Sequence, residues 1–239
     1  MTRYAILAGL TRLDPDAYDG WDGHCPGCDR DVYRMGRLLH DRGFDGIEVL
    51  VNSAATIQGV KEAFVRAAKT LGDDDLLTLY VSGHGGQVRD LDGDEEDGHD
   101  ETVCLYNGEA DDDQIGKYLR TLGKGVRVWW ISDTCNSGTN YRGMRRRKRS
   151  TPVRVAATKP DGFRGSLLHF GGCFDGKSSW GDWDGGFFTN AILDAVARAR
   201  KPINYLDLWQ RASERIDSRQ RPSIGQFGGP AFSDREVFT

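Results

Sequence analysis

The chain alternates between short apolar runs and longer stretches whose apolar residues recur at helical spacing. Two of the runs, the one opening at Val126 (VRVWWIS) and Leu76–Ser82 (LLTLYVS), show no alternating polar face. Runs of that kind are buried strands of a parallel sheet, covered on both sides. Tyr4–Leu10, Ile47–Val51 and Ser166–Gly172 read as further strands, Thr102–Tyr106 as a short one, and PSIGQFGGPAFS holds a last one. Between them, Asp29–Arg42 carries Val32, Met35, Leu38 and Leu39 on one face, and Thr56–Leu71 carries Ile57, Val60, Phe64, Val65 and Ala68. Asp111–Leu122, Phe187–Arg200 and Tyr205–Asp217 complete the expected helices. Strands alternating with helices of this length predict a largely parallel sheet with helices on both faces.

Both apolar runs end in small, polar turns that carry a reactive side chain. Leu76–Ser82 delivers His84 into SGHGG, and the Val126 run delivers Cys135 into DTCNSG. Open parallel sheets place their ligand crevices beyond the carboxyl ends of the strands. If the two strands are neighbours, a thiol and an imidazole meet there. The polar neighbours of Cys135 suit an exposed turn rather than an inert core cysteine. A thiol in such a turn needs a base to become thiolate, and histidine serves near neutral pH. A histidine about 50 residues before the nucleophile resembles the caspase-type arrangement. The Gly85 and Cys135 N–H groups are the candidates for an oxyanion hole, a device that supplies ~3 kcal/mol.

Composition narrows the alternatives. At 38% hydrophobic and 28% charged, the 239 residues make an ordinary globular chain. A net charge of −4 argues against a dedicated nucleic-acid binder. No run approaches the ~20 apolar residues of a membrane span, and MTRYAILAGL has too few apolar residues for a signal peptide. The odd count of 5 cysteines, without export signals, suits a reducing, cytoplasmic compartment.

Several stretches together resemble the metacaspases, members of the caspase-like cysteine peptidases. SGHGGQVRDLDGDEEDGHDE resembles their sequence after the histidine, GCDRD at Gly27–Asp31 their GCxND segment, and GGCFDGKSSW with GGFFTNAIL their small-subunit region. The resemblance covers nearly the whole chain. It implies a single domain at 1–239, a caspase-like three-layer α/β/α sandwich around a mostly parallel sheet of about six strands. Within it, 1–141 corresponds to a large subunit, 142–154 to a cleavable linker and 155–239 to a small subunit. His84 is then the general base and Cys135 the nucleophile. Cys28, Asp31, Ser82 and Asp133 form an acidic pocket for Arg or Lys before the scissile bond. Calcium, the one cofactor implied, would be held by Asp100, Asp111 and Asp112, although Arg142 stands where some relatives offer a further acid. No long proline-rich prodomain precedes the first strand.

Other features have competing readings. In the acidic loop, a calcium-binding register starting at Asp90 puts Glu95 where an EF-hand requires glycine, so a solvated loop is equally expected. Cys25 and Cys28 form one CxxC. A structural zinc site wants four ligands, and the usual redox surroundings are not evident in sequence. Cys28 is therefore read as pocket wall. The basic residues Arg142, Arg145, Arg146, Arg147, Lys148, Arg149 and Arg154 read blandly as a localisation or nucleic-acid patch. Their place after the catalytic turn, in an enzyme selecting basic residues, favours processing at Arg145–Arg149, by the enzyme itself or by an activating protease. Trp129, Trp130, Phe187 and Phe188 are expected in the core, and Trp180 and Trp183 along the substrate groove. The expectation is a monomeric cysteine endopeptidase acting on protein substrates with basic residues, with neither nucleic acid nor membrane as partner. The rival readings are a caspase-like peptidase of other specificity and a non-catalytic interaction module.

Overall fold

The computed structural model describes residues 1–89, 99–134, 144–145, 154–157, 162–173, 180–216, 220–228 and 232–239. In chain order its strands and helices begin with β1 (Arg3–Gly9), α1 (Cys28–Asp41), β2 (Gly46–Val51), α2 (Ile57–Thr70) and β3 (Leu76–Ser82). They continue with β4 (Gly85–Arg89), β5 (His99–Leu105), β6 (Gly108–Asp111), α3 (Asp112–Leu119) and β7 (Arg127–Asp133). Then come β8 (Met144–Arg145), β9 (Arg154–Ala157), β10 (Ser166–Gly171), β11 (Gly181–Asp182) and β12 (Gly185–Gly186). The chain closes with α4 (Phe187–Ala197), α5 (Tyr205–Ser213) and β13 (Ser223–Phe227).

The central sheet runs β2-β1-β3-β7-β10-β13, extended at one edge by β9 and β8. β2, β1, β3, β7 and β10 are mutually parallel, and β13 lies antiparallel to β10. The six-stranded, mostly parallel sheet expected from sequence is thus its centre. β3 and β7 are buried at every position, as unbroken apolar runs require. One face is covered by α2 and α3 around Phe64, Leu119 and Trp130. The other is covered by α1, α4 and α5 around Val32, Trp129, Phe188 and Leu208. Trp129 and Trp130 are both enclosed, on opposite faces, each contributing a few kcal/mol by burial.

Local chemistry fixes the element ends. Thr56 caps α2 by accepting from the Gly59 N–H at 2.9 Å, and Asp111 caps α3 by accepting from the Gln114 N–H at 2.6 Å. α1 has no side-chain cap, but Gly27 enters it at φ 88°, and Asp29 and Asp31 fill its first turn. The structure adds strands that sequence reasoning did not place, the β11–β12 hairpin among them. β4, β5 and β6 form a separate antiparallel sheet where only Thr102–Tyr106 was expected, and the ends of the basic run, β8 and β9, join the central sheet through their backbones. Among the described residues no helix is long and apolar enough to cross a membrane.

Candidate active site

β3 and β7 are neighbours, and their last residues, Ser82 and Asp133, are register partners. The residues that sequence reasoning placed in one pocket therefore meet at the carboxyl edge of the sheet. The first turn of α1 brings Asp31 to the same point. Asp31 Oδ2 accepts from the Ser82 hydroxyl at 3.0 Å and from the Gly186 N–H at 2.7 Å. Asp133 Oδ2 accepts from both the N–H and the hydroxyl of Thr189, at 2.9 and 2.7 Å. With its proton given to Asp133, the Thr189 oxygen receives the Tyr80 hydroxyl at 2.8 Å.

Both carboxylates are nearly inaccessible, Asp31 at 0% and Asp133 at 4% exposure. Burial, and then the charge of Asp133, pushes Asp31 up from 3.8 to about 7, against the opposing pull of Gly186, Ser82 and Arg34. The second oxygen of Asp31 is buried with no hydrogen-bond partner among the described residues; the Arg34 guanidinium lies 4.0 Å from it. A carboxylate so placed is short of a donor.

Gly185 and Gly186 run between the two acids. A Cβ on Gly185, itself at φ +103°, would strike the Asp31 carboxylate, and one on Gly186 would strike that of Asp133. Gly186→Ala is expected to lower stability by about 1–3 kcal/mol, readable as a fall in thermal midpoint. An unchanged midpoint would mean that the β12 strand is not held where it is described. The two-residue hairpin of β11 and β12 is fastened to α1 by Arg30, which reaches Trp183 O at 3.1 Å and Asp184 at 2.6 Å, and by Arg34, at 3.0 Å from Asp184 O.

His84 sits between β3 and β4, its carbonyl taking the Cys104 N–H at 3.0 Å. Its ring lies beside the backbone of Gly23 and His24, which favours the charged form, and 4.8 Å, centroid to centroid, from the Trp21 ring. Burial lowers its pKa from 6.5. Nε2 is buried with no partner among the described residues, leaving one ring nitrogen uncommitted. Bonded and non-bonded pairs alternate in an antiparallel ladder. The bond between His84 and Cys104 makes Gly85, opposite Val103, a non-bonded position, so its N–H is turned away from β5.

Cys135, with its N–H, lies outside the described residues, as do Arg146, Arg147, Lys148 and Arg149; Arg145 is described by its backbone alone. The residues leading to Cys135 are firmly held. The Ser132 carbonyl takes the Gly172 N–H at 2.7 Å, the Ser132 hydroxyl lies 2.8 Å from His169 Nε2, and the Thr134 carbonyl takes the Cys173 thiol at 3.3 Å. Cys28, at the head of α1, is buried beside Ser82 and Asp31.

The calcium assignment finds no support. Among the described residues no three His, Cys, Asp or Glu side chains gather as a metal site. Asp111 spends one oxygen on the cap of α3, Asp112 is buried and accepts from the Asp113 N–H at 3.0 Å, and the Asp100 side chain lies outside the described set.

Sequence reasoning missed Thr189, Gly185, Gly186 and Trp21. Only the GGFFTN stretch carried a signal for the first three, through its resemblance to the small-subunit region. Trp180 and Trp183 are 52% and 73% exposed, and Trp183 packs edge-on near His24.

The profile of the Caspase domain family matches residues 13–228. Metacaspase-1 of Sclerotinia sclerotiorum is 36% identical over 151 residues, 57% of this chain and 34% of that protein. Metacaspase-1B of Neurospora crassa is 37% identical over 149 residues, 56% of this chain and 34% of that protein. The chain thus aligns with about a third of the length of these relatives. The crystal structure of protein GSU0716 from Geobacter sulfurreducens superposes with a TM-score of 0.82 at 31% identity, covering 100% of this chain and 99% of that one.

Proposed function

The chain belongs to the caspase domain family, and from that premise we propose that it is a cysteine endopeptidase cleaving proteins after Arg or Lys. Cys135 attacks the scissile carbonyl. His84, its ring beside the Gly23–His24 backbone, takes the thiol proton through its uncommitted nitrogen and returns it to the leaving amine. The Gly85 N–H, turned off its ladder, and the Cys135 N–H receive the oxyanion. The acidic pair Asp31 and Asp133 receives the basic side chain before the scissile bond. Processing at Arg145–Arg149 belongs to the same proposal, since that run offers the enzyme its own preferred residues beside the catalytic turn.

The observation that carries the specificity is the Asp31 oxygen buried without a donor, beside a second buried acid. A guanidinium supplies the missing donors and a charge, and its fork suits two carboxylates better than an ammonium does. The test is a fluorogenic peptide panel with Arg, Lys or Asp before the scissile bond, read from pH 5 to pH 9. Arg is expected to be cleaved best, Lys less well and Asp not at all. For Arg peptides kcat/KM should fall as pH drops through about 7, where free Asp31 takes a proton. At saturation the guanidinium keeps Asp31 ionised, so kcat should hold until His84 protonates, below its ordinary 6.5. Efficient cleavage after Asp, or a kcat/KM flat between pH 8 and 6, would overturn the pocket assignment.

A further inference from the structure

Cys25 takes no part in the proposed peptidase chemistry, yet its setting is specific. Pro26 follows it, Gly27 sits at φ 88°, ψ −11°, and Cys28 is the first residue of α1. Proline at the second position and a glycine with those angles at the third define a type II turn, which brings the end residues within 7 Å. That span lies in the range a disulfide bridges. The two thiols are free and lie close enough for each to bias the ionisation of the other. They also stand where β1 leads into α1 and on to β2, and β1 and β2 are parallel neighbours. This is the βαβ setting in which a CxxC acts as a dithiol.

We propose that Cys25 and Cys28 form a reversible dithiol–disulfide site, with Cys25 as the attacking thiol and Cys28 as the resolving one, oxidised by a low-molecular-weight disulfide. Cys25 is partly exposed and Cys28 is 4% exposed, so only Cys25 meets a reagent from solvent. The neighbouring Cys28 thiol draws Cys25 below the usual thiol range, against burial and the charges of Asp133 and Asp31. The same proximity, with burial, pushes Cys28 up. The pair is divided into a ready nucleophile and a protonated reserve.

In the first step the Cys25 thiolate attacks one sulfur of the reagent, forms a mixed disulfide and expels a thiolate. Cys28 then attacks the Cys25 sulfur, closes the Cys25–Cys28 bond and expels the second thiolate. The two protein protons pass to the two leaving groups, so two thiols are oxidised and one disulfide is reduced. The new bond ties the loop that holds His84, through Gly23 and His24, to the helix that carries Asp31.

The experiment reads thiol state, not hydrolysis, and uses Cys135→Ser protein so that failure of the peptidase reading leaves it untouched. Reduced protein is incubated with oxidised glutathione, denatured, blocked with N-ethylmaleimide, digested and weighed. Cys25 and Cys28 should escape blocking together as one disulfide, recovered as two thiols by dithiothreitol. Adding Cys28→Ser should leave glutathione trapped on Cys25, and adding Cys25→Ser should leave Cys28 a free thiol. If Cys28→Ser does not fold, the time course of the protein with both thiols carries the same reading, glutathione appearing on Cys25 before the disulfide. Both cysteines remaining open to blocking, or glutathione reaching Cys25 no faster than the buried Cys104, would overturn the site.

Discussion

Cys135→Ala should abolish peptide hydrolysis, and His84→Ala should lower kcat/KM by about 10²–10⁴-fold. The first change removes the sulfur that the proposed mechanism uses to form the acyl intermediate. The second leaves a thiol with no partner to deprotonate it in its turn. Combining them should cost little more than Cys135→Ala alone, because groups that act as a unit do not add. Neither change should melt the fold. His84 lies in a glycine turn, its carbonyl held by the Cys104 N–H whatever its side chain, and the strand before Cys135 is anchored on both sides by β3 and β10. The same preparations test processing. Active protein should yield two fragments parted within the Arg145–Arg149 run, while Cys135→Ala stays in one piece. The halves should remain together, because β7 from one and β10 from the other pair over six positions from Ser166↔Arg127 to Gly171↔Ser132. Turnover by Cys135→Ala matching that of the unaltered chain would sink the assignment.

The parts of this site that were legible in sequence are those fixed by a single strand. An apolar run that ends in SGHGG or DTCNSG announces its own burial and where it stops, so His84 and Cys135 were singled out from local pattern, whereas Ser82 and Asp133 were singled out through the family resemblance. Leu76–Ser82 is a strand over the residues expected. The parts that were not legible depend on distant packing. Thr189 sits on the otherwise apolar buried face of α4 and acquires its role only because Asp133, 56 residues earlier, needs donors. Gly186 is likewise set against Asp31 across 155 residues. Trp21 lies in a turn-rich loop whose composition predicts exposure, and its contact with His84 requires the fold. The β4–β5–β6 sheet was obscured by its glycine and acidic content, which reads as loop until the strands pair. Cys28, read as pocket wall, is buried beside Ser82 and Asp31. What the sequence did not display was the turn that folds Cys25 back upon it.

The pocket also bears on stability. Asp31→Asn is expected to raise the thermal midpoint at pH 8 while lowering kcat/KM for Arg peptides. Asp31 is fully buried, and its pKa is raised from 3.8 to about 7 by burial and by Asp133. Between those values the folded chain keeps a proton that the unfolded chain has lost. This residue's contribution is therefore greatest below about pH 4 and declines as pH rises to about 7; beyond that, both states are ionised and the full cost of the buried charge remains. A rise of that size corresponds to roughly 4 kcal/mol. Asparagine removes the charge and keeps one oxygen for Ser82 and Gly186, but it leaves an amide nitrogen near Arg34 without an acceptor, which returns about 1–3 kcal/mol. A net gain on the order of 2 kcal/mol at pH 8, turning into a net loss of about 1–2 kcal/mol toward pH 4, where the charge cost has gone and the unpaired amide remains, is the expected thermal result. Activity should move the other way, because a substrate guanidinium loses one of two charge partners, a loss of about 2–5 kcal/mol in transition-state binding. Thermal scans of both proteins at pH 4 and pH 8, beside kcat/KM for one Arg peptide, separate the two effects. A variant equally stable at both pH values relative to its parent would show that Asp31 is not strained by its charge. A variant that cleaves Arg peptides as well as its parent would show that Asp31 does not hold the substrate.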